Sequence, residues 1–356
     1  MPDFDRNSPY DDLPRLPPRA DIESVDIMRA CIKASRSLAE LQGLVSTIPD
    51  KRILLELLPL QESESSSAIE NIVSSKKRLF MAVSGDPEKA DRSTREILGY
   101  NKALLTSSGR IPDLETIRNI CSSIKGEAMD YRDSGDEQVG LFSAGSRVAV
   151  YTPPSGASVN GLMKNLMEYI FTDDDVDPLI KMAVIHYQFE AIHPFFDGNG
   201  RTGRILNIIY LQYSGLIEDP LLFISEYIIE NKTKYYELLG NVTRDGDWTP
   251  WIMFMLDAVD AVSRRTISRI DRITAMIDDF KVRSRSLGIP ETCIDAVFSN
   301  PYCTIKNMMD SLGCSRPSAS KYLKTLESVG MLRSVRTEKG LVYVNNPLIE
   351  EFSGDE

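Results

Sequence analysis

The stretch "PLIKMAVIHYQFEAIHPFFDGNGRTGRILNIIYLQYSG", residues 178–215, constrains this chain more than any other. Ile180, Ala183, Val184, Tyr187 and Ala191 recur at three- and four-residue spacing, which predicts a helix over 178–192. Pro194 cannot continue that helix. Gly198 and Gly200 then open a tight loop, and a second helix is expected over about 201–214. Any fold adopted here must contain a helix, a glycine loop and a returning helix. The letters Gly198-x-Gly200-x-x-Gly203 match a dinucleotide fingerprint, but that fingerprint needs a strand in front of it. A helix stands there instead, so the match is accidental.

Helix, glycine loop, helix is a different device. The loop glycines let backbone N–H groups converge, and the amides and dipole of the second helix add to them. The result is a nest for phosphate. Arg201 and Arg204 sit three apart, on one side of the second helix. Arg204 is placed to reach a terminal phosphate; Arg201 either does the same or holds the loop. His193, one of only two histidines in the chain, suits the removal of a proton from an attacking hydroxyl. Asp197 suits a magnesium ion shared with phosphate oxygens. Together these are the parts of a phosphoryl or nucleotidyl transfer site. His186 falls on about the same helical face as His193 and is read as structural, since one base suffices.

The rest of the chain is organised around this unit. The length of 356 residues suggests two or three domains. Residues 1–20 form a proline-rich arm, either disordered or packed along the body. Helices are expected over 22–47 and 51–64, with a short one in "SSSAIENIVSSKK" whose serines would cap its start. More follow over 92–107, 113–123, 159–171, 222–229, 232–242 and 249–286. The alternating "EQVGLFSAGSRVAVYTPP" predicts a hairpin. Residues 288–349 read as helix, turn, helix and a two-stranded wing turning at Glu338-Lys339-Gly340. That unit carries seven Lys and Arg against five acids, on a chain of net charge −11. The overall charge argues against the whole chain coating nucleic acid. Five scattered cysteines without CxxC spacing argue against a zinc site or disulfide frame. The apolar stretches fall short of a membrane span, and the N-terminus has no secretory apolar segment. No membrane contact and a cytoplasmic location are therefore expected.

The run His193 to Arg204 resembles the signature of Fic-domain proteins, His-Pro-Phe-x-Asp/Glu-Gly-Asn-Gly-Arg-x-x-Arg, at every fixed position. The likeness covers roughly residues 20–290. It implies a mainly α fold: a Fic-type helical bundle with a β-hairpin flap, plus a small C-terminal winged helix-turn-helix domain. Residues 1–110 would be the arm and the helical region carrying an inhibitory helix (about 63–76). Residues 111–287 would be the catalytic core and 288–356 the winged helix.

Fic enzymes transfer AMP from ATP to a protein hydroxyl. The resemblance makes His193 the base and Asp197 the Mg²⁺ ligand. ATP would lie against Gly198, Asn199, Gly200, Arg201, Thr202, Gly203 and Arg204. Glycine at position 200, where a kinase-like branch carries lysine, favours nucleotidyl transfer. "SEYIIENKTKYYELLGN" resembles the segment that encloses the base, with Asn231 and Tyr236 as candidates. Arg147, Val148, Ala149, Val150 and Tyr151 match the flap that holds an extended target segment. "SSAIEN" resembles the family's inhibitory motif. By that likeness Glu70 pairs with Arg204 and displaces the terminal phosphate, while Ser66 and Asn71 orient the helix. In some members the same glutamate also helps remove AMP. The partner is a target protein with a Ser, Thr or Tyr hydroxyl. Self-modification and a homodimer are compatible with the family. Two other readings stay open here. One is a DNA-binding regulator using the Fic fold as a nucleotide sensor; the other is an enzyme transferring a different phosphate-linked group. Whether the winged helix meets DNA or protein also stays open.

Overall fold

The structure, a computed structural model, describes residues 4–48, 51–75, 78–79, 90–135, 139–142, 149–337 and 340–351. Its centre is α6 (Pro178–Ile192), started by Asp177, whose carboxylate accepts the Leu179 N–H at 2.8 Å, with Pro178 in the first turn. Every residue from Leu179 to Phe189 is buried, the spaced apolar ones and those between them, so the helix has no solvent face. Its polar members are satisfied one by one. Lys181 reaches the Thr172 carbonyl at 2.7 Å, and Gln188 donates to the Pro14 carbonyl at 3.0 Å. His186 lies 2.8 Å from the Tyr235 hydroxyl and 3.2 Å from Asn207 Nδ2.

Around α6 pack α1 (Val25–Thr47), α5 (Gly156–Phe171), α7 (Asn199–Tyr213) and α10 (Trp248–Ser286). α2 (Arg52–Ile69), α3 (Arg92–Ser107) and α4 (Leu114–Lys125) form the second side. α8 (Ser225–Glu230) and α9 (Lys232–Asp245) close the third. The N-terminal arm packs along the body. Tyr10, Leu13 and Leu16 are buried, and the Leu16 backbone exchanges two hydrogen bonds with Asn165. The hairpin pairs β1 (Leu141–Phe142) with β2 (Ala149–Tyr151) antiparallel.

One expectation about helices fails. The serine-rich stretch does not start a new short helix, because α2 runs unbroken to Ile69. Ser63 bonds back to the Pro59 carbonyl at 2.6 Å, and Ser63, Ser66 and Ser67 face the interior. The helix ends at Asn71, whose φ is 61°, with Ile72 N–H reaching the Ser67 carbonyl and Asn71 N–H the Ala68 carbonyl. That is a Schellman stop, with asparagine in glycine's usual place.

The C-terminal unit follows α10. It comprises α11 (Thr292–Ser299), β3 (Tyr302–Thr304), α12 (Ile305–Leu312), α13 (Arg316–Ser328), β4 (Arg333–Thr337), β5 (Gly340–Val344) and α14 (Asn346–Glu351), with strands in the order β3-β5-β4. This is the winged helix-turn-helix order. Gly313 takes the left-handed turn and Ser315 caps α13. Arg316, Lys321 and Lys324 are exposed along α13. The wing turn expected at Glu338 and Lys339 lies outside the described residues. All five cysteines are free thiols. Among the described residues no helix is long and apolar enough to cross a membrane.

Candidate active site

The site forms where α6 stops and α7 starts. His193 caps α6 in the left-handed conformation, φ 49°, a strained choice for a residue with a side chain. His193 thus ends the helix, while His186 stays within it, bonded to Tyr235 and Asn207, as a structural residue would be. Arg132, fully buried, holds this turn. Its guanidinium donates to the carbonyls of Pro154, Ile192 and His193 at 2.9–3.1 Å. These include carbonyls that the end of α6 leaves without partners. Burial, then the nearby Arg132 charge, pushes the His193 ring down to about 4. The ring is therefore neutral near neutral pH, with an open Nδ1 among the described residues.

The loop is clasped from inside. Phe195 N–H donates to Asn199 Oδ1 at 2.9 Å, and Asn199 Nδ2 donates to the Phe195 carbonyl at 2.8 Å. The Asn199 side chain is thus occupied by the loop, which leaves its backbone N–H as the group for an anion. Gly198, with φ 86°, is the N-cap of α7, so the helix opens at Asn199, slightly earlier than the pattern suggested. The first-turn amides have no partner within the helix.

The two arginines differ. Arg201 is locked by Glu96 at 2.8 Å, with Asp197 at 3.7 Å, and holds the loop. Arg204 is equally buried and is held by α2. Its Nε donates to Ser66 Oγ at 2.8 Å, and its Nη2 to the Ser66 carbonyl at 2.9 Å and to Glu70 Oε1 at 3.0 Å. Burial is the largest influence and opposes the Arg204 charge, but Glu70 together with Tyr235, Tyr100 and Glu190 outweighs it and raises its pKa. Glu70 also covers the start of α7. A Cβ built on Gly200 would stand 2.3 Å from Glu70 Oε1 and 3.0 Å from Arg204 Nη1. Glycine at 200 is what lets the carboxylate sit over the nest. Behind Arg204, Glu190 Oε1 packs against Gly203 with no partner among the described residues. Burial pushes Glu190 up to about 8 against the pull of Arg204.

Asp197 is 58% exposed and pairs with Lys125 at 2.5 Å. Burial raises its pKa, but the Lys125 hydrogen bond and charge win and hold it below the usual carboxylate range. No cluster of three or more His, Cys, Asp or Glu that could hold a metal occurs among the described residues. One exposed carboxylate at an anion nest fits a hard cation that takes its other ligands from phosphate and water. Thr202 and Gly203 lie buried in the first turns of α7. Tyr236 is 46% exposed, its ring edge-on to Tyr235 at 5.1 Å. The Asn231 side chain donates to the Tyr227 carbonyl at 2.9 Å. Asn71 accepts from Lys232 at 3.4 Å, while Lys232 also reaches the Ile69 carbonyl at 2.5 Å. In the flap, Tyr151 donates to the Ala191 carbonyl at 2.8 Å and Val150 is exposed. Ala149 starts β2; Arg147 and Val148 lie outside the described residues.

Family profiles match this chain in three places. One described as "Fic/DOC family N-terminal" matches residues 28–108, and one described as "Fic/DOC family" matches 110–211. One described as "Protein adenylyltransferase SoFic-like, C-terminal domain" matches 290–348. The chain belongs to the Fic/DOC family. This Fic protein is 30% identical over 122 residues to Protein adenylyltransferase fic-1 of Caenorhabditis elegans, a stretch that is 34% of this chain and 23% of the relative. It is 29% identical over 188 residues to Protein adenylyltransferase Fic of Aedes aegypti, 51% of this chain and 35% of that one. The match thus spans well under half the length of either relative. In fold, it resembles a Fic family protein from Desulfovibrio desulfuricans G20, with TM-score 0.56 and 21% identity, covering 92% of this chain and 98% of that one. Fic-1 from C. elegans gives TM-score 0.51 and 22% identity over 69% of this chain and 74% of that one.

Arg132, Glu96, Lys125, Glu190 and Lys232 stand out in no sequence motif; of these, Glu190 alone carries a local signal, lying three residues before His193.

Proposed function

We propose that this chain transfers AMP from ATP to a Ser, Thr or Tyr hydroxyl of a target protein, releasing pyrophosphate, and that Glu70 restrains it. The observation that carries the reading is the Glu70 carboxylate held by Arg204 over Gly200, on the anion-binding start of α7. A carboxylate there stands where a terminal phosphate would bind, near enough for its charge to be felt at a neutral histidine.

The residues divide the work. His193 takes the proton of the target hydroxyl, whose oxygen forms the bond to the α-phosphorus as pyrophosphate leaves. Its low pKa keeps the ring able to accept. The amides of the Gly198–Gly200 loop hold phosphate oxygens. Arg204 takes the terminal phosphate once Glu70 withdraws. Asp197 would hold the magnesium ion, which supplies charge neutralisation across the phosphates when bound. The exposed edge of β2 suits pairing with an extended target segment. Released from Arg204, Glu70 would also align a water that removes AMP from the modified target.

The test is labelling from α-³²P-ATP by the full chain. Glu70→Gly should label strongly, wild type weakly, and the Glu70→Gly/His193→Ala double variant not at all. Equal, strong labelling by wild type and Glu70→Gly would end the inhibition reading. Labelling that survives His193→Ala would end the transfer reading.

A further inference from the structure

Lys125 is the last residue of α4, and its side chain is only 7% exposed. Its stem runs along the nest: a Cβ on Gly198 would meet Lys125 Cδ at 3.6 Å and Cγ at 3.8 Å. Its ammonium reaches two carboxylates, Asp197 at 2.5 Å and Glu96 at 3.5 Å. Glu96 already holds Arg201 at 2.8 Å and Arg92 at 3.0 Å, so it has no need of a third cation. Among the described residues the only other cation on Asp197 is the distant Arg201. The Asp197 backbone is separately fixed, since Cys121 donates to its carbonyl at 3.4 Å. The carboxylate is thus held in place with a movable positive charge on it and a second seat for that charge within reach.

We infer that Lys125 is a resident counter-cation for Asp197, a positioning residue that sets how readily a divalent cation loads. The proposal rests on reading Asp197 as the metal ligand. In the metal-free protein Lys125 neutralises Asp197 and keeps its carboxylate aimed at the nest. Asp197 would also have to hold a metal arriving with nucleotide, and two cations on one carboxylate repel. Lys125 then moves to Glu96, about an ångström's adjustment for a four-carbon stem. Glu96 is the relay that keeps Arg201 in place through the exchange. This explains why a carboxylate bound to an arginine also lies beside a buried lysine.

The experiment measures Mn²⁺ binding by electron paramagnetic resonance, with ADP present, in the full chain carrying Glu70→Gly. Calorimetry of ADP without metal runs alongside, and thermal melts confirm folding. Lys125→Met should bind Mn²⁺ about tenfold more tightly, because one unit charge beside the dication is gone. Lys125→Arg, which keeps the charge, should stay within about twofold of the parent. ADP affinity without metal should not change in either variant. Unchanged or weaker Mn²⁺ binding by Lys125→Met, with the parent binding normally, overturns the role of Lys125 alone. A loss of metal-free ADP binding in Lys125→Met overturns it too, by making Lys125 a phosphate ligand. Absence of Mn²⁺ and ADP binding in every chain removes the Asp197 reading and this proposal with it.

Discussion

Lys232→Met should activate the enzyme without touching its chemistry. The Lys232 ammonium donates to the Ile69 carbonyl at 2.5 Å and to Asn71 Oδ1 at 3.4 Å. It therefore sits on the C-terminal end of α2, where the unpaired carbonyls concentrate partial negative charge. That end carries Glu70, so Lys232 stabilises the position in which Glu70 covers Gly200. A cation at a helix C-terminus contributes about 0.3–1 kcal/mol, and a partly buried charge-assisted hydrogen bond somewhat more. The ammonium is partly exposed, so about 1 kcal/mol of the closed state is a fair allowance. Losing that multiplies the open fraction by about five. The assay is the initial rate of α-³²P-AMP incorporation, compared in wild-type and Glu70→Gly backgrounds. Wild type should gain about fivefold from Lys232→Met; Glu70→Gly should gain nothing, because its restraint is already gone. An equal gain in both backgrounds would refute the reasoning by placing Lys232 in catalysis. A loss in both would assign it to nucleotide binding.

Other outcomes follow from the same contacts. His193→Ala in the Glu70→Gly background should abolish labelling while leaving ATP affinity intact by calorimetry. The His193 ring must be neutral to act, and its pKa lies near 4. The labelling rate of Glu70→Gly should therefore stay flat from neutral pH downward and fall only on acidification to about 4 or lower, since that variant lacks the Glu70 charge that raises the ring pKa. An inflection at the ordinary histidine value of about 6.5 would contradict the structure. Arg132→Met should destabilise the fold by at least about 3 kcal/mol in urea titrations, since it strands the buried carbonyls of Pro154 and Ile192 and that of His193. Ser66→Ala should raise wild-type labelling less than Glu70→Gly does, because Arg204 keeps the Ser66 carbonyl.

The helix, glycine loop and helix were legible because proline, glycine and apolar spacing act within a few residues. The Glu70–Arg204 contact was legible too, though 134 residues separate the pair, because each end lies in its own recognisable motif. The rest of the electrostatic frame was not. Arg132, Glu96 and Lys125 stand among ordinary polar neighbours, and each looks like a solvated surface charge. Their roles exist only once folding brings α3, α4 and the end of α6 together. The serine run misled for a related reason. Serines at a helix start and serines facing a buried arginine read alike in one dimension, and Arg204 decides between them. Asn199 shows the limit of motif reading: its side chain closes the loop, and only its backbone is free for a ligand.

The absence of a solvent face on α6 bears on anyone seeking to redesign this chain. A helix touched on all sides has few positions where a substitution is silent, so random mutagenesis across 178–192 would return mostly unfolded clones. The reacting group is in effect quenched against drift. Diversity belongs at the periphery, at exposed Val150 on β2 and along the open face of α13. A library restricted to those surfaces would explore new clients while the interior stays constant.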